Sequence, residues 1–270
     1  MTMAPMPGPV SSAQVRRRFE QHAPHYEGQA TLQRAIAWRL ARLIHPLPLP
    51  AGPRADLGAG TGLLGQALRQ QAAAAGLDHS ERAAAAPLLQ LDLCAELLKR
   101  NPLPWRRQWD LEQGLPPELA GAALLCSSFA LQWLAQPASQ LRHWCDTLQP
   151  GGWLALAVPT AGSFPEWHAA ATCAGVPCTA LPLPTAEGLI AAAEPLLTLQ
   201  RQERLRFRRC YGSGRGFLGR LRRLGAGASP GPRLSAGQLR QLLQAWASDG
   251  RVSWEVLLLV GRKTGSHDRG

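Results

Sequence analysis

Ala55-Asp56-Leu57-Gly58-Ala59-Gly60-Thr61-Gly62-Leu63-Leu64 is the stretch on which the fold turns. A short apolar approach closes on an acidic residue, three glycines alternate with small residues, and an amphipathic run follows, the order of strand, tight turn and helix. Gly58 and Gly60 allow positive φ and leave no Cβ where a ligand passes close to the main chain. Gly62 lets the helix start near the strand, with free N–H groups expected to face the ligand. Such turns serve nicotinamide and flavin enzymes too, so the motif by itself says that a nucleotide-like group binds, or that the loop is structural.

Outward from this turn the chain alternates strands and helices. The patterns predict strands at Leu88–Asp92, ending near Trp109-Asp110, at Ala122–Cys126 and at Trp153–Val158, with a helix at Ala138–Leu148 between the last two. A β-α-β crossover of that kind makes the sheet mostly parallel, so the fold class is α/β. Leu197, Leu199, Leu205 and Phe207 share one phase of a late alternating strand, and Val252–Val260 forms another; paired antiparallel, they complete seven strands. Ahead of the motif, a helix from Ser12 carries Val15 and Phe19 and stops before Pro24. A second, from Gln29 to Ile44, lines up Leu32, Ala35, Ile36, Leu40 and Leu43. Ser235 and Gln238 form a capping box, and the Ala-rich residues 71–87 read as an exposed insertion. The domain plan is a disordered N-terminus at 1–12, a helical lid at 13–45, a cofactor-binding core at 54–160, a substrate and carrier part with the last strands at 161–263, and a tail at 264–270.

A chain of 270 residues holds one such domain with a full core. No run has the length of a membrane span and no signal-peptide pattern opens the chain, so a cytoplasmic protein is expected. The six cysteines lack any C-x-x-C pair and read as reduced packing residues, with no metal site. The net charge of +11 is concentrated between Arg201 and Arg223, which points to a polyanionic partner or to a solvated strand face. No aromatic-basic interleaving accompanies it, so nucleic acid is not expected.

Asp92 ends the second strand, where doubly wound folds place a carboxylate against ribose hydroxyls, although its 36-residue separation from Asp56 exceeds the usual spacing. It serves there or as the N-cap of the next helix.

The spacing Asp56-x-Gly58-x-Gly60-x-Gly62 resembles motif I of the class I S-adenosylmethionine-dependent methyltransferases. Ser127-Ser128-Phe129-Ala130-Leu131-Gln132-Trp133 narrows this, being similar to the Ser-Asn-x-Ala-x-Gln-Trp segment of the malonyl-acyl-carrier-protein O-methyltransferases of biotin synthesis. Phe19-x-x-x-Ala23-x-x-Tyr26 with Leu32-Gln33, Gly162-Ser163-Phe164-Pro165-Glu166-Trp167, Leu221-Arg222-Arg223-Leu224-Gly225-Ala226, and the stretch from Leu234 to Lys263 resemble further segments of that family in order. Ser128 in place of the family's usual Asn and Ala59 in place of its frequent Cys are departures.

The resemblance implies a Rossmann-like seven-stranded sheet with helices on both faces and an N-terminal helical lid. It implies S-adenosyl-L-methionine as cofactor, held by Asp56, Gly58, Ala59, Gly60, Gly62, Asp92 and Leu93, by Asp110 and Leu111 beside the adenine, and by Ser127 and Gln33. Asp110 could instead be a turn residue. Tyr26 and His25 would close the lid over the reacting centre or form an ordinary interface pair; Gln132, Trp133, Ser163, Phe164 and Arg222 would meet the substrate, Trp133 being also a candidate core residue. The implied activity is methyl esterification of the free carboxylate of a malonyl group on an acidic acyl carrier protein, or on coenzyme A, by a monomer. Alternatives are another small acid, a quinone precursor or an RNA base as acceptor, or a binding protein without activity.

Overall fold

The computed structural model of the protein describes residues 10–75, 87–231, 233–247 and 249–265. Most of the Ala-rich insertion lies outside the described residues. Helix α1 (Ser12–His22) opens on a capping box between Ser11 and Gln14, and a single turn at Ala23–His25 holds Pro24. Val10 is buried against Val15 and Ala228, so the expected disordered N-terminus is corrected at that position. A short α2 (Tyr26–Gln29) precedes α3 (Thr31–Ile44), whose buried face runs through Leu32, Gln33, Ile36, Ala37, Leu40 and Ala41; Ala35, placed on that stripe by the sequence pattern, is exposed.

The core alternates β1 (Arg54–Leu57), α4 (Leu63–Ala74), β2 (Leu88–Asp92), α5 (Ala95–Arg100), β3 (Arg106–Gln108), β4 (Ala122–Ser128), α6 (Pro137–Thr147) and β5 (Leu148–Pro159). Then follow α7 (Pro165–Cys173), α8 (Ala186–Ala193), β6 (Leu197–Cys210), α9 (Gly214–Arg223), α10 (Ala236–Ala245) and β7 (Arg251–Lys263). The sheet order is β3-β2-β1-β4-β5-β7-β6, with β1 to β5 parallel and β7 antiparallel to both neighbours. The order reverses between β1 and β4, and such a switch point leaves a crevice at the carboxyl ends of the strands. No described helix is long and apolar enough to cross a membrane.

Two apolar layers sandwich the sheet, one against α3, α4 and α7, the other against α6 and α8. The late strand corrects the sequence reading. Leu199 pairs with Gly261 and Arg201 with Val260, so Gln200 is a bulge. One extra residue reverses the side-chain alternation. Leu197 and Leu199 therefore pack in the α6/α8 layer while Leu205 and Phe207 pack in the other, although all four share parity in sequence. After β6, Ser213 caps α9, and Phe217 on that helix is fully buried.

Candidate active site

The glycine turn is closed on itself by hydrogen bonds. The N–H groups of Gly58 and Ala59 both donate to the Leu91 carbonyl at 2.8 Å, that of Gly62 donates to Ala59, and that of Gly60 donates to Asp92 Oδ2 at 2.7 Å. The expectation of free N–H groups facing the ligand is thus corrected at these four positions. A Cβ on Gly58 would overlap the methyl of Ala130, and Gly58, Gly60 and Gly62 all have positive φ, which explains the residue type.

Asp92 is the hub of this turn. Its other oxygen accepts from Cys94 N–H at 2.7 Å, so it bridges the turn to the start of α5 without being that helix's N-cap, a place held by Cys94. Burial raises its pKa to about 6, against the lowering effect of the two N–H bonds. Asp56 is buried beside it with Oδ2 unpartnered, and its pKa is raised to about 7 by burial and then by Asp92. Two neighbouring carboxylates withdrawn from water each gain proton affinity.

A donor cleft of about 90 Å³ lies over the turn, lined by Gly58, Gly60, Asp92, Leu93, Asp110 and Leu111 and roofed by α1. Asp110 both caps the turn Leu111–Gln113, accepting from Glu112 N–H, and accepts from the Ser12 hydroxyl at 3.2 Å, tying the roof to the floor. These features fit S-adenosylmethionine: a positively charged nucleoside finds carboxylates at Asp92 and Asp110 in the lining, with the unpartnered Asp56 oxygen buried beside Asp92, and the N–H groups of Gly58, Ala59, Gly60 and Gly62 are not free to bind a phosphate.

A second chamber of about 730 Å³ adjoins the cleft, and Phe19, Tyr26, Phe129 and Trp133 line both. Phe19 packs edge-on against Trp133 at 5.6 Å, which gives Trp133 a wall position and not a deep core one. The Tyr26 phenol is held above its usual pKa by burial, then by Asp92 and Glu27, and stays neutral. Phe129 and Phe164 both take left-handed backbone, with φ of 59° and 64°, uncommon for aromatic residues.

The turn after β5 shows how Phe164 is held there. The Ser163 hydroxyl donates to the Glu255 carbonyl and accepts from Glu255 N–H, both at 2.9 Å, and Glu166 accepts from the N–H and hydroxyl of Ser253. Ser163 is therefore a staple to β7 and lines neither cavity, while its neighbour Phe164 enters the chamber against Trp254 at 4.6 Å.

Other expected positions divide similarly. Gln132, Trp133, Phe164 and Arg222 line the acceptor chamber; Gln132 donates to the Phe129 carbonyl and leaves Oε1 buried without a partner. Gln33 lines this chamber and not the cofactor cleft. The Ser127 hydroxyl is spent on the Leu57 carbonyl at 2.7 Å, locking β4 to β1, and it is Ser128 that lines the cleft. Asp56, Ala59 and Gly62, expected at the cofactor, do not line the cleft. His25 is exposed and lines neither cavity, which corrects the place expected for it, whereas Tyr26 and Phe19 line both. Sequence reasoning missed Arg18 and His22 in the second chamber, although their i, i+4 spacing on α1 carried the signal.

A switch-point cleft with an acidic floor, a glycine turn and a helical roof defines a class I S-adenosylmethionine-dependent methyltransferase domain. Comparisons agree. The family described as "Methyltransferase domain" matches residues 29–194. The biotin biosynthesis bifunctional protein BioCD of Bordetella avium is 32% identical over 87% of this chain, which spans 49% of that protein's length. A malonyl-acyl-carrier-protein O-methyltransferase of Magnetococcus marinus is 30% identical, over 83% of this chain and 82% of the relative. One of the same name from Dechloromonas aromatica is 37% identical over 58% of this chain and 54% of its own. The fold recurs in YcgJ of Bacillus subtilis, with TM-score 0.56, 15% identity and coverage of 84% of this chain and 98% of that one. It recurs also in the cyclase SpnF, with TM-score 0.57, 17% identity and coverage of 96% and 98%. The chain belongs to the malonyl-acyl-carrier-protein O-methyltransferase family.

Proposed function

We propose that this protein esterifies the free carboxylate of a malonyl group, carried as a thioester on the phosphopantetheine arm of an acyl carrier protein, with the methyl group of S-adenosylmethionine. One observation carries the reading: the donor cleft has carboxylates at Asp92 and Asp110, with Arg16, itself paired to Glu20, beside them, the adjoining chamber has Arg18, Arg222 and Arg233 and no acidic residue among the described residues, and the two meet at an aromatic wall. A cationic donor and an anionic acceptor would each find the opposite charge.

Bound S-adenosylmethionine supplies an electrophilic methyl group. Asp92 and Asp110 would hold its nucleoside, with Asp56 adding negative charge beside Asp92. The acceptor carboxylate is ionised at neutral pH, so no general base is needed, and the neutral Tyr26 phenol is not one. Phe19, Tyr26, Phe129 and Trp133 would exclude water from the junction, leaving the carboxylate oxygen less solvated and better aimed. Positioning of that kind supplies up to roughly 7–11 kcal/mol of barrier reduction.

For the partner, the basic segment is partly consumed by the fold. Arg204 pairs with Glu187 and Arg206 with Glu255, and Arg209 and Arg220 fasten the lid at Thr31. Arg201, Arg215 and Arg223 carry no ion pair among the described residues, and they remain for an acidic carrier.

The test is purified protein with labelled S-adenosylmethionine and malonyl carrier, scored for base-labile methyl ester, beside free malonate. Ester on the carrier alone supports the reading; label on free malonate at equal efficiency, or none, sinks it.

A further inference from the structure

Helix α1 turns a different face to each cavity. Ser12, Val15, Arg16 and Phe19 line the donor cleft, whereas Gln14, Arg18 and His22, at i, i+4 and i+8, line the acceptor chamber. Arg222 reaches the same chamber from α9. The three groups sense one another, for the pKa of His22 is lowered first by burial, then by Arg18, His25 and Arg222.

Among the described residues their charge is unanswered: no Asp or Glu lines the chamber, and neither Arg18 nor Arg222 enters an ion pair. Neighbouring arginines on the same elements are engaged: Arg16 with Glu20, and Arg220 with the Gln29 carbonyl and the Thr31 hydroxyl. Half-buried Arg18 and more exposed Arg222 thus face a cavity with like charge and no counter-ion. An anion entering the chamber would meet two guanidinium groups with no competing carboxylate among the described lining residues.

We propose that Arg18 and Arg222, with His22 beside them, seat an oxyanion of the acceptor, and that this seat selects which acyl groups the enzyme accepts. The inference rests on the carboxyl-methylation reading. A planar guanidinium binds a carboxylate or a phosphate with two parallel hydrogen bonds, and the acceptor carries both groups, the malonyl carboxylate and the phosphodiester of its arm. An acyl group without the carboxylate leaves the seat unfilled when the carboxylate is its occupant.

Wild type, Arg18→Gln and Arg222→Gln, each saturated with S-adenosylhomocysteine so that no transfer occurs, are titrated calorimetrically with acetyl-pantetheine, malonyl-pantetheine and malonyl-phosphopantetheine. With the carboxylate in the seat, wild type binds malonyl-pantetheine about 10- to 100-fold more tightly than acetyl-pantetheine, and either substitution removes most of that preference. With the phosphate in the seat, the step from malonyl-pantetheine to malonyl-phosphopantetheine is the one that collapses. Both outcomes support the seat and name its occupant, and the second overturns its role in selecting the acyl group. Variants that bind all three ligands as wild type does overturn it. Unchanged affinity for S-adenosylhomocysteine certifies the fold, and Arg→Lys at either position restores part of the preference. Methyl ester formation by wild type is measured separately. An anion preference without ester removes the carboxyl-methylation reading and keeps the seat; ester without any anion preference does the reverse.

Discussion

Asp92→Asn separates the cost of holding this site from the benefit of filling it. The carboxylate accepts two short N–H bonds from Gly60 and Cys94, which alone would suggest that removing its charge destabilises the protein. The pKa decides otherwise. A rise from 3.8 to about 6 means that burial outweighs both bonds: relative to the unfolded chain, the folded site penalises the ionised form over the protonated one by about 3 kcal/mol, to order of magnitude. Because the folded pKa lies above the unfolded one, the folded protein binds the extra proton between about pH 4 and pH 6. Stability falls as pH rises through that window and stays lower above it. An asparagine, with one acceptor and one donor, resembles the protonated acid. The cofactor-free variant should therefore melt near wild type at pH 4 and several degrees above it at pH 8. Its affinity for S-adenosylmethionine should fall about tenfold, since the ribose trades a charged acceptor for a neutral one. Thermal melts at both pH values and calorimetric titration measure these quantities. A variant less stable than wild type at pH 8, or one with an unchanged dissociation constant, refutes the reasoning.

Binding of the cationic cofactor to the wild-type cleft requires protons to leave Asp92 and Asp56, whose pKa values stand near 6 and 7, so affinity should weaken as pH drops from 8 to 5.5, by up to about tenfold per pH unit for each proton; titration across that range checks it. Gly58→Ala places a methyl against Ala130 and forces a left-handed alanine, and loss of cofactor binding with a destabilisation of about 1–3 kcal/mol in urea melts is expected. Ser163→Ala strands the buried N–H of Glu255, so stability should drop by about 1–3 kcal/mol while cofactor affinity holds. A rise in acceptor KM with no loss of stability would return Ser163 to the substrate. Reversing Arg201, Arg215 and Arg223 to Glu together should raise KM for the carrier-bound acceptor and flatten its salt dependence; equal KM values at low salt would remove the carrier from this face.

The strands, the crossover and the glycine turn were legible because each rests on local constraints: period-two burial, glycine's access to positive φ, and a carboxylate at the end of β2. What the sequence hid was made by contacts between distant residues. Nothing local says that Gly58 and Ala59 spend their N–H groups on Leu91, or that Ser127 spends its hydroxyl on Leu57. The bulge at Gln200 was hidden for the same reason, since register belongs to β7 as much as to β6. Ser163 and Phe164 show the limit of a resemblance: adjacent residues of one motif, one bonded back to β7 and the other lining the chamber.

The charge pattern explains why a count of +11 could not reveal the site. Parallel strands deliver their carboxyl ends to one edge, so Asp56 on β1, Asp92 at the end of β2 and Asp110 after β3 gather there although the sequence scatters them. Helix α1 lies across that edge and, having two faces, offers Phe19 to the junction and Arg18 and His22 to the far side. A basic chain thereby keeps an acidic cleft beside a cationic chamber. The aromatic residues Phe19, Tyr26, Phe129 and Trp133 line both and separate the two sets of charge.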